Sequence, residues 1–221
     1  YCVDAPVIAI TGSNGKSTVT TMVELMAESA GKKVAAGGNL GVPALDLLAD
    51  EIESYILELS SFQLERVTAL KPQAAVVLNV ASDHMDRYSD IEAYAKVKRK
   101  IYDHAKICVV NIDDRRVLAM VASEQKQLTF SVAKIADFSV QEESHSQWLV
   151  YGNKAVIARS KILLVGDHNT SNALAAMALA ITVGLPIESI VSGLMHYQGL
   201  PHRLQIVSTA HEVIWVNDSK A

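Results

Sequence analysis

The stretch TGSNGKST, residues 11–18, decides the fold of this chain. It follows the short β-rich run PVIAI and precedes an amphipathic segment, so it joins a strand to a helix. Its ending GKS is ordered as in a phosphate-binding P-loop, but the full P-loop pattern asks for a glycine where this chain has Ile10. The nearest earlier glycine before Gly15 is Gly12, so the loop is shorter than the standard one.

The short loop nevertheless has the parts of a phosphate cradle. Such a cradle needs a strand that stops abruptly, a turn with inward N–H groups and a helix N-terminus that faces the anion. The helix is expected to begin at about Lys16, which would reach the β and γ phosphates, while Ser17 would offer its hydroxyl to Mg²⁺. The remaining candidate nucleotide-binding residues of the loop are Gly12, Ser13, Asn14, Gly15 and Thr18. The alternative is an ordinary turn with a helix-capping serine and a solvated lysine.

Composition limits the class of protein. The chain has 221 residues, half of them apolar, and a net charge of −4 without a basic excess, so no nucleic-acid partner is expected. Cys2 and Cys108 lie far apart, which argues against a disulfide framework and for the cytoplasm. The longest apolar stretch is interrupted by Gly184 and Pro186, so we expect a buried helix and no membrane partner. The chain opens without Met and ends on VNDSKA, so a fragment of a longer enzyme is expected.

The order of predicted elements indicates an α/β fold with a P-loop-type, mostly parallel sheet flanked by helices. The expected strands of its first half are PVIAI, KKVAA, SYILEL, AAVVLNV and KICVVN. Shorter runs from about 126 to 166 predict a small antiparallel β appendage, with QLTFSV and FSVQEE among them. Helices are expected from Asn169 to about 183 and from Ile187 to about 196. A boundary near Gly199 would divide a domain at 1–199 from the start of a second α/β domain at 200–221.

Acidic and histidine side chains follow the predicted strands. Glu58 stands at the carboxyl end of SYILEL, the edge where parallel sheets bind ligands and where P-loop proteins hold a metal-binding acid. Asp83, His84 and Asp86 cluster after the next strand, and His84 is a candidate metal ligand. A strand-edge glutamate that reaches solvent and a solvated loop histidine are the alternatives.

Six motifs together carry a resemblance to a known family. In chain order they are TGSNGKSTVTT, GGNLGVPAL, LELSSFQLE, LNVASDHMDRY, GDHNTSNALAA and GLPHR with WVNDSKA. They resemble the Mur ligase family, whose own loop form is the short GxxGK[ST]. The resemblance implies a central ATP-binding domain with the first strands of a C-terminal domain. It also implies ATP-dependent addition of D-glutamate to UDP-N-acetylmuramoyl-L-alanine through an acyl phosphate, in peptidoglycan precursor synthesis.

The resemblance also implies roles for the metal-site residues. Lys16 matches the P-loop lysine, and Ser17 and Glu58 match ligands of a Mg²⁺ that bridges the β and γ phosphates. His84 matches a ligand of a second Mg²⁺, on which a carbamate formed from Lys98 and CO₂ would act. From the sequence pattern alone, Lys98 on the apolar stripe of a helix reads as a lysine whose stem packs and whose head reaches water.

Further residues match substrate and nucleotide contacts of the family. Asn39, Ser60, Gln63 and His84 match positions at the muramoyl-alanine end of the substrate. Asn169 and Asn172 match adenine-side residues, and Arg203, Asp218 and Lys220 match C-terminal-domain residues that meet the nucleotide. Polar residues of these types are also common helix caps and turn residues.

Three alternatives stay open at this point. A sister ligase, including folylpolyglutamate synthase, would share the loop and the metal residues. A P-loop switch or partitioning ATPase would hydrolyse ATP without an acceptor substrate, and a non-catalytic domain would keep the fold alone. We expect a monomer that takes only small-molecule substrates, and a fragment that binds nucleotide at most.

Overall fold

Strands and helices alternate along the described part of the chain. The computed structural model describes residues 4–39, 41–143, 145–164, 166–200, 205–210, 213–217 and 219. The strands are β1 Val7–Thr11, β2 Val34–Gly38, β3 Ser54–Glu58, β4 Ala74–Val77, β5 Ile107–Asn111, β6 Gln127–Ser131, β7 Phe138–Glu143, β8 Ser146–Tyr151, β9 Lys154–Ala158, β10 Gln205–Ala210 and β11 Val213–Asn217. The α-helices are α1 Lys16–Ser29, α2 Ser61–Arg66, α3 Ile91–Arg99, α4 Arg115–Leu118, α5 Asp167–Thr182 and α6 Ile187–His196.

Nine strands form one sheet in the order β2-β3-β1-β4-β5-β6-β7-β8-β9. Neighbouring strands from β2 through β7 pair in parallel, and β8 and β9 add antiparallel strands at one edge. Strands β1, β4 and β5 are buried along their whole length, as continuous apolar strands covered on both faces should be. The carboxyl ends of β1, β3 and β4 therefore meet at one edge of the sheet.

The predicted fold class is confirmed, but one part of the antiparallel assignment is wrong. QLTFSV and FSVQEE form β6 and β7, which pair in parallel. A parallel pair normally needs a long crossover connection. Here the strands overlap only at Phe130 with Phe138 and Ser131 with Ser139. Because β7 begins beside the end of β6, the connection does not have to return along the length of β6. A short connection is therefore sufficient, and β7 then runs past β6 to pair with β8 over six residue pairs.

Helices cover both faces of the sheet. Successive strand residues point to opposite faces, and Ile8 and Ile10 of β1 belong to one buried cluster with residues of α1, α5 and α6. Ala9 belongs to a second buried cluster, on the other face, with residues of α2, α3 and α4. Helices α1 and α6 pack closely at Gly193, where an added Cβ would lie 2.7 Å from the backbone nitrogen of Met26.

Most helix boundaries agree with the sequence predictions. Helix α1 begins at Lys16 as expected, and the Asp90 carboxylate caps α3 by accepting from the Ala93 N–H at 2.7 Å. Helix α5 begins at Asp167, two residues before the predicted Asn169. Within the described ranges, no helix has both the length and the apolar character needed to cross a bilayer. Strands β10 and β11 form a separate two-stranded sheet, while the predicted domain boundary near Gly199 stays a prediction.

Candidate active site

The loop of residues 12–15 is fixed to the segment that follows β4. The Ser13 N–H donates to the Asn79 carbonyl at 3.0 Å, and the Ser13 hydroxyl donates to the Ala81 carbonyl at 3.1 Å. Gly15 caps α1 with a left-handed φ of 86°, which favours glycine, and an added Cβ would collide with Oδ1 of Asn172. The loop therefore has one conformation that places the N-terminus of α1 at the sheet edge.

Lys16 folds back over this loop. Its Nζ donates to the Gly12 carbonyl at 3.0 Å and to the Ser13 carbonyl at 3.1 Å. The ammonium group is thus held above the loop at the N-terminal end of α1, where the helix dipole also favours an anion. The Lys16 ammonium and the N-terminal end of the α1 dipole both make the electrostatic potential at this place positive, which suits a phosphate ligand.

Glu58 forms the acidic side of the same site. Its carboxylate accepts from the Ser17 hydroxyl at 2.8 Å and from the Asn39 side-chain amide at 2.8 Å. The residue is only 2% exposed, so the alternative of a strand-edge glutamate that reaches solvent is wrong. The loop from residue 13 to 18, Asn39 and Glu58 line a cavity of about 170 Å³.

Lys98 contacts the same loop as Lys16. Its side chain is buried, with Nζ donating to the Gly12 carbonyl at 3.0 Å and standing 4.5 Å from the centre of the Tyr94 ring. The alternative that the sequence pattern alone favoured, in which the head of Lys98 reaches water, is wrong, because the side chain turns inward to Thr11 and Gly12. Burial, and then the positive charge of Lys16, lower the pKa of Lys98 to about 7.

His84 approaches the same region from the loop after β4. Its ring lies 4.9 Å from the Phe62 ring and 6.2 Å from the Tyr94 ring, and its Nε2 lies 3.5 Å from the Asp83 carboxylate. The Tyr94 ring lies near both the His84 ring and the Lys98 amine, so His84 and Lys98 lie on one side of α3. The His84 side chain is 42% exposed, as the alternative of a solvated loop histidine expects. His84 has a φ of 55°, a conformation that costs a non-glycine residue about 1 kcal/mol or more.

A second, larger cavity opens on the other side of the loop. Its volume is about 450 Å³, and it lies between the loop and the N-terminal end of α5. Asn169 and Asn172 of α5 contribute to its lining. Their adenine-side role, which the resemblance implies, stays a prediction. The sequence reasoning missed three of its polar lining residues, Asn79, Asn111 and His168. Asn79 follows β4 and Asn111 ends β5, so polar residues at the ends of buried parallel strands were the available signal.

Other predicted residues have different surroundings. Ser60 and Gln63 form a capping box at the start of α2, in which the Gln63 side chain accepts from the Ser60 N–H at 2.8 Å. The helix-cap alternative therefore accounts for these two side chains in the structure. Arg203, Asp218 and Lys220 lie outside the described residues.

The acidic and histidine side chains of the site are spread apart. Over the described part of the chain, no three His, Cys, Asp or Glu side chains come close enough together to hold a metal ion. A Mg²⁺ ion does not require such a cluster, because it commonly binds one or two carboxylates together with substrate phosphates and water. Glu58 with Ser17 fits that donor set.

A parallel sheet whose first strand leads into a short glycine loop, a lysine and a helix, facing a buried carboxylate on the next strand, defines a P-loop nucleotide-binding domain. The Mur ligase middle domain matches residues 10–180, so the chain belongs to the Mur ligase family. This confirms the resemblance carried by the six sequence motifs.

Relatives of known name are similar over nearly the whole chain. UDP-N-acetylmuramoylalanine--D-glutamate ligase from Vibrio cholerae is 48% identical over 99% of this chain and 50% of its own length. The enzyme of that name from Haemophilus influenzae is 47% identical over 98% of this chain and 49% of its own length. The chain thus spans about half the length of the curated relatives it matches.

Solved structures of Mur-type ligases share the fold. MurF from Acinetobacter baumannii superposes with a TM-score of 0.80 at 24% identity, over 97% of this chain and 50% of that chain. A pseudomurein peptide ligase type C from Methanothermus fervidus superposes with a TM-score of 0.80 at 19% identity, over 97% of this chain and 54% of that chain. At these identities the likeness supports the fold alone.

Proposed function

We propose that the protein is an ATP-dependent acid–amino-acid ligase that adds D-glutamate to UDP-N-acetylmuramoyl-L-alanine in peptidoglycan precursor synthesis. The present chain would supply the ATP and Mg²⁺ part. The arrangement of Lys16, Ser17 and Glu58 around one cavity carries the proposal of phosphate chemistry. Identity of 47–48% to D-glutamate ligases over nearly the whole chain favours D-glutamate as the amino acid.

The nucleotide would lie across the loop. The N–H groups of residues 12–18 and the Lys16 ammonium would hold the phosphates, as in other P-loop proteins. The second cavity would take the adenosine part, with Asn169 and Asn172 as its polar contacts. Arg203, Asp218 and Lys220 stay proposals for nucleotide contacts, since they lie outside the described residues.

The first Mg²⁺ would be held by Ser17 and Glu58 together with the β and γ phosphates. When bound, Mg²⁺ would offset the repulsion between ATP and the acceptor carboxylate. Asn39 donates to the same carboxylate of Glu58 at 2.8 Å and would orient it. Asn39 would therefore act at the metal as well as near the muramoyl-alanine end of the substrate.

The second metal site would need a change of charge at Lys98. An ammonium repels a cation, whereas the carbamate formed from a neutral amine and CO₂ is an anion. Burial supports this chemistry because a pKa of about 7 leaves roughly half of the Lys98 amine neutral at pH 7. His84 would complete the site and contact the substrate, and Ser60 and Gln63 would act on the substrate from α2.

The reaction would proceed by two displacements at the substrate. A carboxylate oxygen of the alanyl group attacks the γ phosphorus, and the bond to the β-phosphate oxygen breaks to release ADP. The amine of D-glutamate then attacks the acyl phosphate, loses a proton, and displaces phosphate to leave the amide. Lys16 and the loop N–H groups would stabilise the charge that develops on the transferred phosphoryl group. Domain closure about Gly199, between 1–199 and 200–221, would exclude water.

The proposal extends to the partners, the location and the oligomeric state of the enzyme. Its partners would be three small molecules, namely ATP, D-glutamate and UDP-N-acetylmuramoyl-L-alanine, and we propose the cytoplasm as its location. We propose a monomer without nucleic-acid or membrane partners, because every substrate is small and the net charge of −4 provides no general polyanion-binding surface.

An amino-acid panel tests the substrate assignment. The full-length protein would receive ATP, Mg²⁺ and UDP-N-acetylmuramoyl-L-alanine with D-glutamate, L-glutamate, L-alanine or diaminopimelate, and ADP and amide product would be measured. We expect amide only with D-glutamate, at one ADP per amide. Product with another amino acid would assign a sister ligase instead. ATP hydrolysis that is independent of both acceptor substrates would favour a P-loop ATPase switch.

A further inference from the structure

The carboxylate of Glu65, on α2, holds the two side chains that follow the His84 turn. It forms a two-pronged ion pair with the Arg87 guanidinium, through Nη2 and through Nε at 3.3 Å. It also accepts from the Tyr88 hydroxyl at 2.8 Å. Tyr88 is 8% exposed, so one of these hydrogen bonds is shielded from water.

The same two residues hold the backbone of His84. The N–H groups of Arg87 and Tyr88 donate to the His84 carbonyl at 3.0 Å and 3.2 Å. Glu65 thus fixes the two residues whose backbone closes the turn that begins at His84. The left-handed φ of 55° at His84 makes this bracing necessary, because a non-glycine residue tends to leave that conformation when its surroundings allow it.

Aromatic contacts extend the bracing to the imidazole itself. The Phe62 ring contacts both the His84 ring, at 4.9 Å, and the Arg87 guanidinium carbon, at 5.0 Å. Tyr88 in turn packs against Tyr94 at 5.1 Å, and Tyr94 contacts His84 and Lys98. The His84 side chain is 42% exposed, so these ring contacts, and not burial, hold the imidazole, and Glu65 and its partners keep the contacting side chains in place.

We propose that Glu65 is a positioning residue for His84, acting through Arg87, Tyr88 and Phe62 to hold the imidazole toward the Lys98 side of the site. This inference rests on the proposed function, since it gives the position of His84 a use in the ligase reaction. It adds a role for the Glu of LELSSFQLE and the Arg of DHMDRY, which none of the site roles proposed above assigns.

An ordinary surface ion pair would behave differently. Exposed ion pairs contribute little to stability, and Arg87 is 49% exposed in its side chain. If the pair were merely structural, breaking it would therefore change neither the position of the His84 ring nor the Mg²⁺ dependence of ligation. Lys32 and Glu53 supply such a pair, because Glu53 accepts from Lys32 at 2.8 Å and from the Lys33 N–H at 2.9 Å before β3 begins.

The test compares Glu65→Gln with Glu53→Gln in the full-length protein. The first readout is the NMR spectrum of histidine rings, with His84 assigned through its absence in His84→Gln. We expect the Phe62 and Tyr94 rings to shift the His84 ring protons of the wild-type protein. In Glu65→Gln these signals should move toward the positions of histidines that no aromatic ring contacts, and in Glu53→Gln they should not move. This readout needs no ligation activity, so it stands even if the amino-acid panel fails.

The second readout is steady-state ligation as a function of Mg²⁺. We expect Glu65→Gln to lower kcat and raise the half-saturating Mg²⁺ concentration, by roughly 10-fold in one or both, with KM for ATP unchanged because the loop is untouched. Arg87→Gln should act alike, and combining it with Glu65→Gln should add little further, because both remove one interaction. Glu53→Gln should leave every value at wild type.

Two results would overturn the positioning role. One is an unchanged His84 ring signal in Glu65→Gln. The other is a shifted ring signal with wild-type kcat and wild-type Mg²⁺ dependence in a protein whose D-glutamate ligation is established. The positioning role would also be wrong if Glu65→Gln lowered the melting temperature only as much as Glu53→Gln does and changed nothing else. That result would show that Glu65 and Arg87 form an ordinary ion pair.

Discussion

Replacing Lys98 by alanine in the full-length protein is expected to abolish ligation, by roughly 100-fold or more, because the site loses the group that would carry the carbamate. A small carboxylate such as acetate should restore part of the activity by entering the space that the side chain leaves. Phosphate release and amide product, measured against acetate concentration, provide the test.

Lys96→Ala is the matched control for this substitution. Lys96 lies two residues before Lys98 on α3, but its side chain is exposed, whereas Lys98 is buried. We expect wild-type activity and no effect of acetate in the control. Full activity of Lys98→Ala, or a loss that no small carboxylate reverses while ATP binding is also lost, would remove the carbamate from the mechanism.

Replacing Glu58 by alanine is expected to weaken Mg²⁺-dependent ATP binding by roughly 10- to 100-fold. The carboxylate is the acidic partner of Ser17 in the phosphate cavity, and its loss removes the anionic ligand proposed for the first Mg²⁺. Binding of ATP without Mg²⁺ should stay equal or improve, because a buried negative charge near the phosphates is gone. Calorimetric titration with ATP, with and without Mg²⁺, measures both effects.

Glu53→Ala provides the control at the opposite end of the same strand. Glu53 directly precedes β3, and Glu58 ends it, so the two substitutions remove the same side chain five positions apart. We expect Glu53→Ala to bind ATP as the wild-type chain does. An unchanged Mg²⁺ dependence in Glu58→Ala would exclude Glu58 as a metal ligand.

Much of the fold could be predicted because its local patterns agree with its global structure. The apolar runs that form β1, β4 and β5 are buried on both faces. The 3.6-residue period predicted for α1 matches its buried residues Val19, Met22, Val23 and Met26. The parallel pairing of β6 with β7 could not be predicted, because a short connection normally joins antiparallel strands, and it suffices for a parallel pair only when the two strands overlap little. Their two-pair overlap is a property of the assembled sheet.

The site was predictable where its residues follow strands and not where side-chain direction decides. The carboxyl ends of β2 and β3 bring Asn39 and Glu58 together, as parallel topology requires, and the first turn of α1 adds Ser17. The direction of Lys98 was open, since a lysine stem on an apolar stripe can extend to water or turn inward. The contacts of Glu65 also escaped the sequence reasoning, because Arg87 and Tyr88 come from a loop whose path no periodicity describes.

The central claim is that the short loop works as a phosphate cradle, and the calorimetric titration of this chain with ATP tests it most directly. The titration would be run with and without Mg²⁺, beside Lys16→Ala, whose missing ammonium should remove the positive charge over the loop. We predict Mg²⁺-dependent binding by the unaltered chain and its loss in Lys16→Ala. Equal ATP binding by the two folded chains, or ATP binding that does not depend on Mg²⁺ in either of them, would contradict the account.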